Sequence, residues 1–234
     1  MSWSLSVVVP VYNEAALVEP AIAAIDGYLR ASWSDYEIVV VESGSTDGSA
    51  DACDHLPAQF PNVRVIHEGA RNGFGAAVGL GYREARKSLV WLVTVDHPFP
   101  LESLEHAVSL LDQYDCVLSY RAADPRPLSR RAQSLVYNGL VRLVLALPMR
   151  HVNSAFKVLK RDVANRLTVG ARGWFFDAEL LYRIDRAGVS WTEIPVPLLD
   201  RGAGRGSVGP LTFISVLREL VAFVRTERIN ARRR

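Results

Sequence analysis

Apolar residues in the first part of this chain fall into short unbroken runs separated by longer segments where they recur every three or four positions. That alternation predicts strands and helices in turn. Leu5 to Val9 is such a run, rich in β-branched residues and closed by Pro10, and Glu37 to Val41 is another, closed by the turn-rich Ser43 to Ser49. Continuous apolar runs are buried on both faces, so both read as parallel strands. Between them, Glu14 to Leu29 carries Leu17, Ile22, Ile25 and Leu29 at helical spacing. Strand, helix and parallel strand make a βαβ unit with a right-handed crossover. Val63 to Ile66 reads as a third strand, Gly75 to Arg86 as a helix, and Leu89 to Val95 as a fourth strand ending at Asp96.

The second half is less regular. Leu101 to Asp112 and Ser129 to Leu147 read as helices, and Cys116 to Ser119, Phe156 to Leu159 and Trp191 to Val196 as strands. Arg201 to Gly209, with four glycines, has the composition of a mobile loop. No linker or internal repeat divides the chain. The expected organisation is one α/β domain over 1–209, followed by an amphipathic helix and basic tail over 210–234. In that tail Ile214, Leu217, Leu220, Val221 and Val224 recur at three- and four-residue spacing, and five arginines against one glutamate follow Val224. Such a helix suits an anionic membrane surface, or its stripe packs on the domain while the arginines trail in water.

Three strand ends deliver polar residues to one edge of the expected sheet: Asn13 with Glu14, Glu42 through Asp47, and Asp96. Ligands of open α/β sheets bind outside the carboxyl ends of the strands, so this edge is the expected site. Composition narrows the class. With 49% hydrophobic and 22% charged residues, the 234-residue chain can bury a sizeable core, and a formal net charge of +2 gives no reason to expect a nucleic-acid partner. Cys53 and Cys116 lack metal or redox spacing and fit a reduced, cytoplasmic setting. The Met-Ser-Trp-Ser start has no basic segment before its apolar run, so no signal peptide is expected. The longest apolar stretches, Leu135 to Met149 and Leu211 to Val224, are interrupted by Asn138 and Arg142 and by Arg218 and Glu219. Neither supplies the roughly 20 apolar residues of a spanning helix. A soluble protein, or one peripheral on the cytoplasmic membrane face, is expected.

Two motifs sit on that edge. Pro10-Val-Tyr-Asn-Glu14 places a fixed-φ proline at a strand end before polar residues and a helix. Glu42-Ser-Gly-Ser-Thr-Asp47-Gly-Ser49 places acids and hydroxyls in a glycine-rich turn, where carboxylates can accept from a base N–H or ribose hydroxyls. Asp47 and Ser49 are equally residues that make turns or cap helices. With Arg71-Asn-Gly-Phe-Gly-Ala-Ala-Val-Gly-Leu-Gly81 these landmarks resemble the family 2 glycosyltransferases of the GT-A fold, over about Leu5 to Ser207. Within the family the chain looks most like the polyprenyl-phosphate sugar synthases, of which dolichyl-phosphate mannose synthases are typical. Ser154-Ala-Phe-Lys157, Gly173-Trp-Phe-Phe-Asp177-Ala-Glu179 and Arg201 to Ser207 resemble elements of that subgroup.

The resemblance implies a mostly parallel GT-A-type sheet flanked by helices, with a Rossmann-like N-terminal half. It implies an inverting enzyme that moves a hexose from a GDP- or UDP-linked sugar to a polyprenyl phosphate. Donor contacts would come from Pro10, Tyr12, Glu14, Glu42, Ser45, Asp47 and Gly75, and a Mg2+ or Mn2+ ion would be held by Asp96. Arg121, Arg130, Arg131, Arg201 and Ser207 would hold the acceptor phosphate, with a solvated basic helix end as the plain alternative for Arg130 and Arg131. A soluble sugar acceptor would need a carboxylate base, for which Asp177 and Glu179 are the candidates. The chain also departs from the family. Glu42-Ser43 stands for two adjacent aspartates, Thr94-Val95-Asp96 for an Asp-x-Asp metal motif, and Pro98 for a glutamine. Asp96 is thus a surviving metal ligand or a cap of the helix expected near Leu101, and a non-catalytic nucleotide-sugar binder is a further alternative.

Overall fold

The computed structural model describes residues 3–199 and 210–233, with side chains of the last helix described over 215–227. Seven strands form one sheet: β1 (Leu5–Val11), β2 (Tyr36–Glu42), β3 (Val63–His67), β4 (Leu89–Leu92), β5 (Cys116–Arg121), β6 (Lys157–Lys160) and β7 (Trp191–Val196). Their order is β3-β2-β1-β4-β6-β5-β7. β6 runs antiparallel to both β4 and β5, and the other pairs are parallel. The helices are α1 (Ala15–Ser32), α2 (Ser49–Gln59), α3 (Phe74–Glu84), α4 (Ser103–Leu110), α5 (Leu128–Leu145), α6 (Arg161–Arg166), α7 (Phe176–Arg186) and α8 (Pro210–Arg233).

Side chains alternate across a strand, so each apolar run feeds two cores. Val7 and Val9 of β1 pack with Ile22, Ile25 and Leu29 of α1 on one face, where α2 and α4 also lie. Val8 turns to the other face, toward Val78 of α3, Val141 of α5 and Leu180 of α7. This two-sided burial is why β1 and β2 lack a polar alternation.

The structure differs from the reading of the sequence in three places. β4 stops at Leu92, and the chain from Val93 to Phe99 leaves the sheet through turns. Helix α2 was hidden because it buries only Ser49, Cys53 and Leu56, too few to set a period. The short α6 and the strongly amphipathic α7 were also not expected. Of the two readings of the last helix, the structure bears out packing on the domain: Val216 and Leu220 of α8 are buried in the second core, with Phe223 and Val224 packed against it. Phe223 meets Phe175 and Tyr182 with ring centroids 5.4 and 5.1 Å apart. Of the stripe read in the sequence, Leu220 and Val224 therefore pack on the domain, Leu217 is half-buried, Val221 is exposed, and the side chain of Ile214 lies outside the described residues. The glycine-rich stretch 201–209 lies outside them too.

Candidate functional site

The β1–α1 junction and the turn after β2 are stitched together by side chains. Asn13 has a left-handed backbone (φ 54°), which aims its amide into the neighbouring turn. The Asn13 backbone N–H donates to Ser45 Oγ at 3.0 Å, and its Oδ1 accepts from the Thr46 N–H at 2.8 Å. Ser49 Oγ accepts from the Glu14 N–H at 2.8 Å and donates to Asp47 Oδ1 at 2.5 Å, while Asp47 Oδ2 accepts from the Ala15 N–H at 3.2 Å. Asp47 thereby ties the first turns of α1 and α2 together. Burial alone would raise its pKa, but donors from Ser49 and Ala15 outweigh that and lower it. Glu14 occupies the N-cap position of α1 without a side-chain cap bond.

Glu42, only 2% exposed, organises the turn from beneath. Its Oε1 accepts from the Ser45 N–H at 2.6 Å and its Oε2 lies 3.0 Å from His67 Nδ1, whose ring Nε2 is 2.9 Å from Asp54 Oδ1 on α2. Burial opposes the Glu42 charge, yet the hydrogen bonds from Ser45 and His67 lower its pKa. The bond to Glu42 is the first cause that raises the pKa of His67. His67 is a site residue that the sequence did not reveal, because a lone histidine at a strand end carries no spacing signal. Gly44 has φ 64°, and a Cβ there would stand 2.8 Å from the Ala70 backbone, so the turn lies directly on the strand-to-α3 connection. That connection places the Arg71 guanidinium 4.3 Å from the centroid of the half-buried Tyr12 ring; Pro10 precedes it at the end of β1.

Gly75 sits in the first turn of α3. Its Cα packs against the segment before α7, where a Cβ would come within 2.5 Å of Ala171 O and 2.7 Å of Phe176 Cβ. Phe74 stacks on Trp174 next to it, ring centroids 4.8 Å apart.

Asp96 follows β4 and is half-buried, its Oδ1 accepting from Thr94 Oγ1 at 2.6 Å. It does not cap a helix: α4 begins at Ser103 with Glu102 at the N-cap position. Among the described residues no group of three or more His, Cys, Asp or Glu side chains could hold a metal ion. Asp96 supplies one carboxylate. This donor set fits a hard cation that takes most of its oxygens from a bound diphosphate and water.

A positive centre stands at the end of β5. The Arg121 guanidinium donates to Ser134 Oγ on α5 and to Asn153 O, both at 2.8 Å, and its backbone N–H donates to His151 Nδ1 at 2.9 Å. Asn138 locks the same network, with its Oδ1 accepting from the Val152 N–H at 2.6 Å. Burial, then the charge of Arg126, lowers the Arg121 pKa to about 10, so it stays a cation at neutral pH. Burial and the Arg121 charge together lower the pKa of His151. Arg130 and Arg131 are exposed, one helical turn before Ser134. Arg201 and Ser207 lie outside the described residues.

Asp177 and Glu179 open α7 and are both engaged. The fully buried Lys157 places Nζ 2.9 Å from Asp177 Oδ1 and donates to Ser154 O. Glu179, 4% exposed, accepts from the Gly170 and Ala171 N–H groups at 3.1 and 2.8 Å and pairs with Arg183 at 3.1 Å.

Comparison with known proteins matches this arrangement to a described family. The model for glycosyl transferase family 2 matches residues 6–168. Glycosyltransferase AglD of Haloferax volcanii is 32% identical over 85% of this chain, which spans about a third (33%) of that longer protein. Undecaprenyl-phosphate mannosyltransferase of Micrococcus luteus is 23% identical over 86% of each chain, and polyprenol monophosphomannose synthase of Mycolicibacterium smegmatis is 24% identical over 85% of this chain and 78% of its own. Glucosyl-3-phosphoglycerate synthase of Mycobacterium tuberculosis, solved with Mn2+, UDP and glucosyl-3-phosphoglycerate, superposes with a TM-score of 0.70 at 22% identity, covering 94% of this chain and 78% of that one. The last likeness establishes the GT-A fold.

Proposed function

The chain belongs to glycosyl transferase family 2, and from that premise we propose that it transfers a hexose from a nucleotide diphosphate sugar to a polyprenyl phosphate, with inversion at the anomeric carbon. The observation that carries this reading is the pairing of a half-buried, anchored Arg121 with carboxylates that are already engaged. A hydroxyl acceptor needs a base to take its proton. Asp177 faces Lys157, and Glu179 holds two backbone N–H groups and Arg183. A phosphate acceptor needs no base, because its oxygen is already anionic. It needs planar cationic donors, and the Arg121 guanidinium, with Arg130 and Arg131 a turn away, has that chemistry.

In this reading the clasped turns of β1 and β2 receive the nucleotide, with Tyr12 and Asp47 at its mouth and Glu42 shaping the turn from below. The acceptor oxygen attacks the anomeric carbon, and the bond from that carbon to the diphosphate breaks on the opposite face. A Mg2+ or Mn2+ ion, held by Asp96 together with donor oxygens and water, would supply charge neutralisation at the leaving diphosphate. Family relatives named for undecaprenyl-phosphate and polyprenol substrates support the acceptor class.

The test is transfer of labelled sugar from a panel of GDP- and UDP-sugars, with Mg2+, Mn2+ or chelator, to either a polyprenyl phosphate or water-soluble sugars. Metal-dependent appearance of label in the organic phase is the expected result. Label found only in water-soluble product would reverse the acceptor assignment, and no transfer from any donor would remove the catalytic one.

A further inference from the structure

The turn after β2 leaves the strand at Glu42 and enters α2 at Ser49, and a side chain from the neighbouring strand braces its two ends. His67 is the register partner of Glu42 in the parallel β2–β3 pair, so the two side chains emerge side by side on one face of the sheet. The ring Nδ1 lies 3.0 Å from Glu42 Oε2, and Nε2 lies 2.9 Å from Asp54 Oδ1 in the body of α2. Glu42 in turn holds the Ser45 N–H, and Ser45 Oγ accepts from the Asn13 N–H. One continuous path therefore runs from α2 through His67 to both clasped turns.

Both ring nitrogens face carboxylates, and this selects the charge state of the ring. A neutral imidazole has one N–H and one lone pair, so it satisfies one carboxylate and repels the other. The imidazolium donates at both nitrogens and satisfies both. The bond to Glu42 accordingly leads the causes that raise the His67 pKa. Glu42 faces the ring from β2 and Asp54 from α2. Cys53, next to Asp54, has its thiol pKa pushed up to about 12, mainly by burial, and stays neutral. Glu68, next along the chain, turns its carboxylate to Ser43 Oγ at 2.6 Å, and Arg64 of β3 pairs with Glu37 and Glu84.

We propose that His67 is a positioning residue for the donor nucleotide, and that loss of one ring proton to solvent loosens the turn and weakens nucleotide binding. The proposal deepens the reading that the clasped turns receive the nucleotide, and rests on it. His67 touches no ligand itself and acts through Glu42 and Ser45. Its side chain is 38% exposed, so the proton exchanges freely with water. Below the folded-state pKa the ring holds both carboxylates and the turn is braced. As pH rises through that value one of the two bonds is lost, and the turn is tied to β2 or to α2 but not to both. Coupling is reciprocal, so nucleotide binding raises the proton affinity of His67 in return.

The test is calorimetric binding of GDP and of UDP, each with Mn2+, to the full chain without acceptor. In the parent the dissociation constant should rise about tenfold between about pH 6.5 and about pH 9. In His67→Gln, whose amide does not titrate, it should change by less than about twofold. Titration of the nucleotide is common to both proteins and cancels in their ratio. Asp54→Asn should move the rise to lower pH, because the ring loses one of the two carboxylates that favour its charge. A second measurement needs the parent alone: the assigned NMR signal of the His67 ring should titrate at higher pH with nucleotide bound than without it. The proposal is overturned if the constants of parent and His67→Gln change in parallel, or if nucleotide leaves the His67 titration where it was. Failure of both nucleotides to bind at any pH would overturn the donor reading, and the proposal with it.

Discussion

Replacing Asp96 by alanine removes the carboxylate proposed to hold the metal ion. Because the residue is half-buried and outside the sheet, Asp96→Ala should abolish transfer with little change in melting temperature. A variant that transfers sugar at the parent rate would show that the metal is held without Asp96. His67 gives a second expectation at this scale, this time in pH. Its pKa is raised above the ordinary 6.5, so its contribution to stability is complete below that value and is lost as pH rises through the folded-state value. Glu42 has a pKa lowered from 4.5, so its contribution is present above that value and lost as pH falls through the folded one. The pair thus supports the turn between these limits. Melting temperature should fall from about pH 6 to about pH 9 by more in the parent than in His67→Gln. Parallel curves would mean that the two groups are not coupled in the folded protein.

At the scale of elements, α7 depends on a polar contact rather than on its apolar face alone. Glu179 is buried and satisfies the N–H groups of Gly170 and Ala171 just upstream of its own helix. Glu179→Ala leaves those donors without a partner, and the expected cost is about 2–3 kcal/mol, read as a lower urea midpoint with an unchanged slope. Unfolding at the parent midpoint would place α7's anchorage elsewhere. The same contact explains why the Gly173 to Leu181 stretch matched a motif without being recognised as a helix. Glu179 and Asp177, polar residues at its start, are held inward by Ala171 and Lys157, partners distant from them in the apolar pattern.

In the proposed reading the whole molecule joins β1 to β4, which would receive the donor, to a half built around β5, α5 and α7, which would hold the acceptor, with antiparallel β6 between them. A ligand that binds only the folded state stabilises it in proportion to the logarithm of its concentration. GDP or UDP at about a hundredfold its dissociation constant, with Mn2+, should add about 2.7 kcal/mol and raise the melting temperature. Chelator or Asp96→Ala should remove most of that increment. An increment that survives both would mean that the nucleotide is held by the clasped turns without a metal.

The sequence by itself determined the half from β1 to β4. Its strands are buried on both faces, so their apolar runs are continuous, and the parallel crossovers place Asn13, the Glu42 to Ser49 turn and Asp96 at one sheet edge whatever the later packing. The helices α3 and α5 were legible for the same reason, since each buries a periodic stripe. Tertiary structure decided the rest, because it depends on which distant groups meet. It put His67 beneath Glu42, Lys157 against Asp177, and Gly75 against the chain before α7. It also chose between two helices with similar apolar patterns. The inner face of α8 found room in the second core beside Phe175 and Tyr182, while α5, already buried along Tyr137, Val141 and Leu145, kept Leu128, Leu135 and Leu143 outside. Periodicity states that a helix has an apolar face, but only the shape and volume of the core decide which faces are buried.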